Sequence, residues 1–436
     1  MAPAWTRTRS AVVGVVVIAL AAGGWLWARH GDGDGGYHEQ ITAAAGAYPT
    51  APGTAPPDAP ARVLPKTSGT YGFAGALSVD RAQGHGRDGV TAHDLRTGSA
   101  YWTYARDGES LGLVATGDEN AAAGTDSGGT VAMWWQDGLV VAVDARTGKP
   151  RWRSRLTAAW AHGYRGHRGL SLAGGLVLAA GEDTLTAYDA TAGGHAWTAR
   201  PPQGCTFQDG AVLTMTHAVT AEVRCGDRGK RVGYDPGSGA VRWQVADGGT
   251  APLRPADDHT LVTSLDGSGL TSGKVVDVSG ARPVEHAWRT PDGHPSVGAG
   301  AGIVLCQSPG VAVLEGFGLT DPKQHWSYPA AKGTRFGGAL QAGDRVYVVQ
   351  QPERAYDTNA KPVPADSYRA TLLVLDARTG QRLGATALPP FPIGSGLPPQ
   401  VTRSLQPWHA AGGVVGVVWG TDGIALPPAD AVVLGQ

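Results

Sequence analysis

Only three cysteines occur in the 436 residues, and no two are adjacent. Basic clusters are also missing: the net charge is −1, and nowhere do five or more Lys and Arg gather, so neither total charge nor patterning favours a nucleic-acid partner. No Asn-x-Ser/Thr sequon is present, which excludes N-glycosylation. After residue 64 no stretch carries a helical period of useful length, which excludes helical repeats.

What the chain does have is Gly, Pro and a recurring hairpin. The 66 Gly and 30 Pro exceed a fifth of the chain and lie between short apolar runs, a composition that favours many tight turns. The clearest hairpin is Leu139-Val-Val-Ala-Val-Asp144-Ala-Arg-Thr-Gly148-Lys-Pro-Arg-Trp152. A β-branched run ends in Asp, whose carboxylate accepts backbone N–H bonds. The turn closes on Gly, which reaches positive φ without a Cβ penalty, and a Trp opens the next strand four residues later. The same spacing returns at Asp94, Gly98 and Trp102, at Asp189, Gly193 and Trp197, and at Asp235, Gly239 and Trp243. Weaker copies are Asp277, Gly280 and Trp288 with an insertion, Trp326 after its own apolar run, and Asp376 to Gly380, where Gly384 stands in place of Trp. The Trp-to-Trp steps of roughly 38 to 50 residues match a four-stranded propeller blade.

The expected fold is therefore all-β: an eight-bladed β-propeller over 65–436, with seven blades as the alternative. The first unit, from Tyr71 to Tyr104, reads one strand short, and the last, from Leu405, lacks the Asp, Gly, Trp hairpin. Strands from both termini are thus expected to complete blades at the closure. The blade tryptophans Trp102, Trp152, Trp197, Trp243, Trp288 and Trp326 are expected to bury their rings against the neighbouring blade. If fully buried, each would contribute about 3 to 5 kcal/mol.

The first 64 residues read differently. Residues 1–10 hold Arg7 and Arg9, and 11–28 are uncharged and apolar, ending in Trp25 and Trp27. This pattern predicts a transmembrane signal-anchor helix with a cytoplasmic N-terminus and an extracytoplasmic body; a cleaved signal peptide is the alternative, and it also exports the rest. Residues 29–64 are rich in Gly and Pro and read as an extended linker. Export suits a disulfide between Cys205 and Cys225, which lie 20 residues apart on two short strand-like runs and would close a loop worth about 3 kcal/mol. Cys306, in an apolar run, reads as a small buried side chain.

The repeated Ala/Val-x-Asp-x-x-Thr-Gly-x-x-x-Trp hairpin, read at Val141 to Trp152 and in part at Leu373 to Gly380, resembles the pyrroloquinoline-quinone-like (PQQ-like) repeat. That repeat builds quinoprotein dehydrogenases and outer-membrane assembly scaffold lipoproteins. The resemblance covers about residues 70 to 436 and implies a propeller, but it implies an enzyme and a binding scaffold equally.

Quinoprotein alcohol dehydrogenases typically carry a vicinal Cys pair, a calcium site and a catalytic Asp. The pair is missing here and no Asp is assignable as base, so no cofactor and no catalytic residue are expected. Gly108-Glu-Ser110-Leu-Gly112 matches a nucleophile elbow, but without a following helix it reads as chance. His162 and His167 fit no common zinc spacing and read as loop residues, so no metal site is expected. Trp134 and Trp135 should face opposite sides of a strand, one in the core and the other open to a partner or, more simply, packed between blades. The function expected is a membrane-anchored, non-catalytic binding or scaffolding module for a protein or envelope polymer. A quinone-dependent dehydrogenase and a sensor propeller are the alternatives.

Overall fold

The Asp-to-Gly turns organise the architecture. In a computed structural model of the chain, Asp94 donates its N–H to Ser99 O at 2.9 Å and accepts the N–H of Gly98 at 2.8 Å. Its carboxylate Oδ1 takes the N–H of Arg96 at 2.8 Å. Asp144, Asp189, Asp235 and Asp376 repeat this arrangement. Gly148 and its equivalents adopt φ near +70°, where a Cβ is strained.

The structure describes residues 39–63, 70–116, 129–156, 169–263, 272–353, 369–389, 403–421 and 432–435, less 45, 51–56, 59, 61, 85–86, 216, 247–252, 258, 281, 291–295, 301, 309–311, 322 and 412. The signal-anchor segment at 11–28 lies outside these residues, as do His162, His167 and most of the insertion after Gln350. Among the described residues no helix is long and apolar enough to cross a membrane.

The described residues form eight antiparallel sheets, numbered here first to eighth in chain order. Most have four strands in simple sequence order, so that hairpin turns supply every connection within a sheet. The first strand of a sheet generally packs beside the first strand of the next, and a separate apolar cluster fills each junction from first–second to seventh–eighth. Phe73 of the first sheet stacks on Trp408 of the eighth at 5.5 Å and joins the two ends. The fold is all-β and propeller-like.

Two strands lie inside the stretch read as a linker. Glu39–Thr42 pairs with Ala100–Asp107 as an extra outer strand of the first sheet. Arg62–Val63 pairs with Val432–Gly435 and supplies the outer strand of the eighth. Strand sharing by the two termini therefore occurs in the eighth sheet. The first sheet is not short: Thr70–Ala74, Leu77–Gly84, Arg87–Asp94 and Ala100–Asp107 give it four strands of its own. The Gln83 to Arg87 stretch, polar and Gly-rich, hid the division between its second and third strands.

Candidate functional site

The tryptophans show what the repeat does. Each lies directly across its hairpin from a small residue: Ala92 for Trp102, Ala142 for Trp152, Ala187 for Trp197, Gly233 for Trp243 and Gly316 for Trp326. The indole is free to lie over that small neighbour and reach the next sheet. Trp102 donates its Nε1–H to Ala145 O at 2.7 Å, Trp152 to Ala190 O at 3.1 Å, Trp197 to Pro236 O at 2.7 Å and Trp326 to Ala377 O at 2.8 Å. Each acceptor is the residue after the turn Asp of the following sheet. The turn glycines Gly148, Gly193, Gly239 and Gly380 press on the same indoles, and a Cβ on any of them would come within 2.7 Å of the ring.

Trp288 departs from this pattern. It lies opposite Gly273, four residues before Asp277, whereas Trp102, Trp152, Trp197 and Trp243 lie opposite the residue two before the turn Asp. His286 occupies the usual position, exposed to solvent. Trp288 is buried against Phe317 and Leu319, yet its indole N–H finds no acceptor among the described residues. The insertion seen in the sequence has moved the ring one strand dyad along.

The main concentration of buried charge joins the first and second sheets near their outer edge. Arg106 is 0 % exposed, lies over the Trp135 ring at 5.0 Å, and forms a bidentate pair with Asp137, both bonds 3.0 Å. Asp137 also accepts Leu139 N–H at 3.2 Å and Arg155 Nη2 at 3.3 Å. Burial alone would raise its pKa, but the Arg106 hydrogen bonds and charge hold it below the usual carboxylate range. Glu39 takes Arg153 Nε at 2.7 Å and the Tyr104 hydroxyl at 2.9 Å, and its carboxyl is likewise held down against burial by Arg153. Burial and then the Glu39 charge push the Tyr104 phenol well up. Glu109 is raised by burial and by Asp137. With both oxygens of Asp137 and of Glu39 engaged by cations, these carboxylates clamp two sheets and are not poised as bases.

Ser110 is exposed between two strands, and its carbonyl accepts Gln136 N–H at 3.0 Å; the strand Leu111–Thr116, rather than a helix, follows it directly. Trp134 and Trp135 are both fully buried, in the junctions toward the third and the first sheets respectively. Neither is open to a partner, because both faces of this strand are covered. Cys205 and Cys225 are register partners and are disulfide-bonded. Cys306 is a buried free thiol, pushed up to about 12 by burial.

The sequence reading missed one group. Ser78 lies directly across from His93, and His93 Nε2 is 3.4 Å from Asp80. This resembles a Ser, His, Asp set, but His93 Nδ1 faces Gly98 O at 3.2 Å, so neither ring nitrogen is left for the hydroxyl. Period-two alternation placed these residues on one face, but only the inter-strand register brings them together.

Residues 86–280 match the profile of the family described as outer membrane protein assembly factor BamB. These residues carry PQQ-like repeats. No curated protein matches the sequence. BamB from Moraxella catarrhalis is similar in structure, with 14 % identity over 91 % of this chain and 100 % of that one, at a TM-score of 0.46. The computationally designed Ika8 protein matches with 15 % identity over 84 % of this chain and 98 % of its own, TM-score 0.46. Quinohemoprotein alcohol dehydrogenase from Comamonas testosteroni has 14 % identity over 72 % and 67 %, TM-score 0.38.

The vicinal cysteine pair has no counterpart, because Cys205 and Cys225 bond to each other in the fourth sheet and Cys306 lies in the sixth. Among the described residues no three His, Cys, Asp or Glu side chains come close enough to hold a metal.

Proposed function

We propose that the eight sheets are the blades of a closed propeller, held to a membrane by the segment at 11–28 and exposed on the extracytoplasmic side, which binds or scaffolds a protein or envelope polymer without catalysis. The observation that carries this reading is the family match over residues 86–280, to a repeat described as an assembly factor. It accords with buried ion pairs that join sheets to one another, as Arg106 with Asp137 joins the first and second. A rigid ring of this kind offers a preformed surface, which lowers the ordering cost of binding.

Crosslinking of the full chain in membranes, followed by mass spectrometry, tests it. A reproducible envelope protein crosslinked to propeller residues is the expected result. A chain recovered uncrosslinked from membranes, together with dye reduction on adding pyrroloquinoline quinone and calcium, would replace this reading with a dehydrogenase.

A further inference from the structure

Among the described residues the junction between the first and eighth sheets has the smallest apolar core, and like the seventh–eighth junction, where Gly384 stands in place of Trp, it has no indole latch. Its buried apolar cluster is Phe73, Leu95 and Val414, with Trp408 beside it, smaller than the cluster at any other junction among the described residues. The outer strand of the eighth sheet is Arg62–Val63, which brings no tryptophan to the Asp94 turn that follows it around the ring. Among the described residues, buried polar atoms also lack acceptors or donors here: Ser78 Oγ, which is on the Phe73 row, Trp408 Nε1 and His409 Nε2. Burial with no hydrogen-bond partner costs free energy, so this junction starts weaker than those latched by an indole.

The segment from Glu39 to Val63 touches sheets on both sides of this junction. On the first and second sheets, Glu39 holds Arg153 and Tyr104, and Ala44 N–H reaches Thr147 O at 3.4 Å. The Tyr48 hydroxyl donates to Ala74 O and accepts Ala76 N–H, both at 3.2 Å, across the turn that leads out of Thr70–Ala74. Its ring carries the Arg146 guanidinium at 4.6 Å. On the seventh sheet, the Tyr347 hydroxyl donates to Pro57 O at 2.9 Å, Arg345 pairs with Asp58, and the Thr386 hydroxyl donates to Pro60 O. Arg62–Val63 then completes the eighth.

We infer that the described residues between Glu39 and Val63 form a strap that holds the ring shut across the junction of the first and eighth sheets, and that this junction is where the ring opens when the strap is released. The inference rests on the closed-propeller reading. The strap replaces the missing indole latch with contacts to the seventh, eighth, first and second sheets. A pull on the chain ahead of Glu39 acts first on its four-residue ladder with Ala100–Asp107.

Hydrogen exchange of the full chain tests it with the double variant Glu39→Ala, Tyr48→Ala. Amides of Thr70–Ala74 and Val414–Thr421 are expected to exchange at least tenfold faster, while Leu176–Ala180, at the third–fourth junction, stays within twofold. Uniform acceleration, or acceleration confined to residues 39–63, overturns the strap. Should the double variant fail to fold, Tyr48→Phe removes the hydroxyl alone and is expected to raise exchange in the same two strands roughly threefold; no change overturns the strap equally. A Phe73→Cys, His409→Cys pair, whose native rings lie 4.5 Å apart, tests closure separately. If it forms no disulfide in the otherwise unaltered chain, the propeller reading fails. If the disulfide forms and suppresses the accelerated exchange of the strap variant, both readings stand.

Discussion

Gly148→Ala tests the latch directly, because two separable costs meet at that residue. The backbone sits at φ +69°, and an L side chain in the left-handed region costs about 1–2 kcal/mol. A Cβ would also lie 2.7 Å from the Trp102 ring, an overlap that forces either the indole or the turn to shift and costs about 1–3 kcal/mol more. The single substitution should therefore destabilise by about 2–5 kcal/mol. Trp102→Ala removes a ring that is 1 % exposed and orphans Ala145 O, at a cost of about 3–5 kcal/mol. In the double variant the overlap vanishes and only the backbone strain of Gly148→Ala remains. The two changes should then sum to about 1–3 kcal/mol less destabilisation than their separate effects. Guanidinium unfolding at constant m-value measures all four corners of the cycle. Additivity within about 0.5 kcal/mol would refute the claim that this glycine exists to seat this indole.

Reduction of the Cys205–Cys225 bond, or the Cys205→Ser, Cys225→Ser pair, should lower stability by about 3 kcal/mol as read by denaturant midpoint, the two treatments agreeing with each other. Asp137→Asn should cost about 3–5 kcal/mol at neutral pH, because it leaves the Arg106 charge buried without its partner. Since the folded Asp137 carboxyl is held below its ordinary value, its contribution is present above that value and lost as pH falls through the folded one; the variant should therefore lose less stability than the native chain on acidification below about pH 4. His409 is buried and its pKa lowered to about 3, so the unfolded chain binds a proton that the folded chain does not between that value and the ordinary 6.5. Stability should fall by about 1.4 kcal/mol per pH unit across this window on acidification, and His409→Leu should flatten the slope in thermal scans at pH 4 to 6.

Much of this was legible because a hairpin is a local object. The Asp carboxylate capping its own turn, the glycine at positive φ and the Trp that follows are set within about a dozen residues, so four strong copies were enough to imply repeated sheets. The cysteine pairing was legible for the same reason, since the two residues end adjacent antiparallel strands. Trp288 was harder. Its sequence spacing showed an insertion but not which way the register would slip, and after that slip its indole finds no acceptor among the described residues.

Sequence alone determined the all-β class, the turns, the positions of the hairpin indoles other than Trp288 and the pairing of Cys205 with Cys225. Only tertiary structure decided that Glu39–Thr42 and Arg62–Val63 join the sheets, that both Trp134 and Trp135 are enclosed, and that Ser78, Asp80 and His93 meet. The reason is separation along the chain. A Pro-rich stretch carries no local signal of contacts such as Tyr347 with Pro57, 290 residues away, and a strand's two faces look alike in sequence until the sheets beside it are in place.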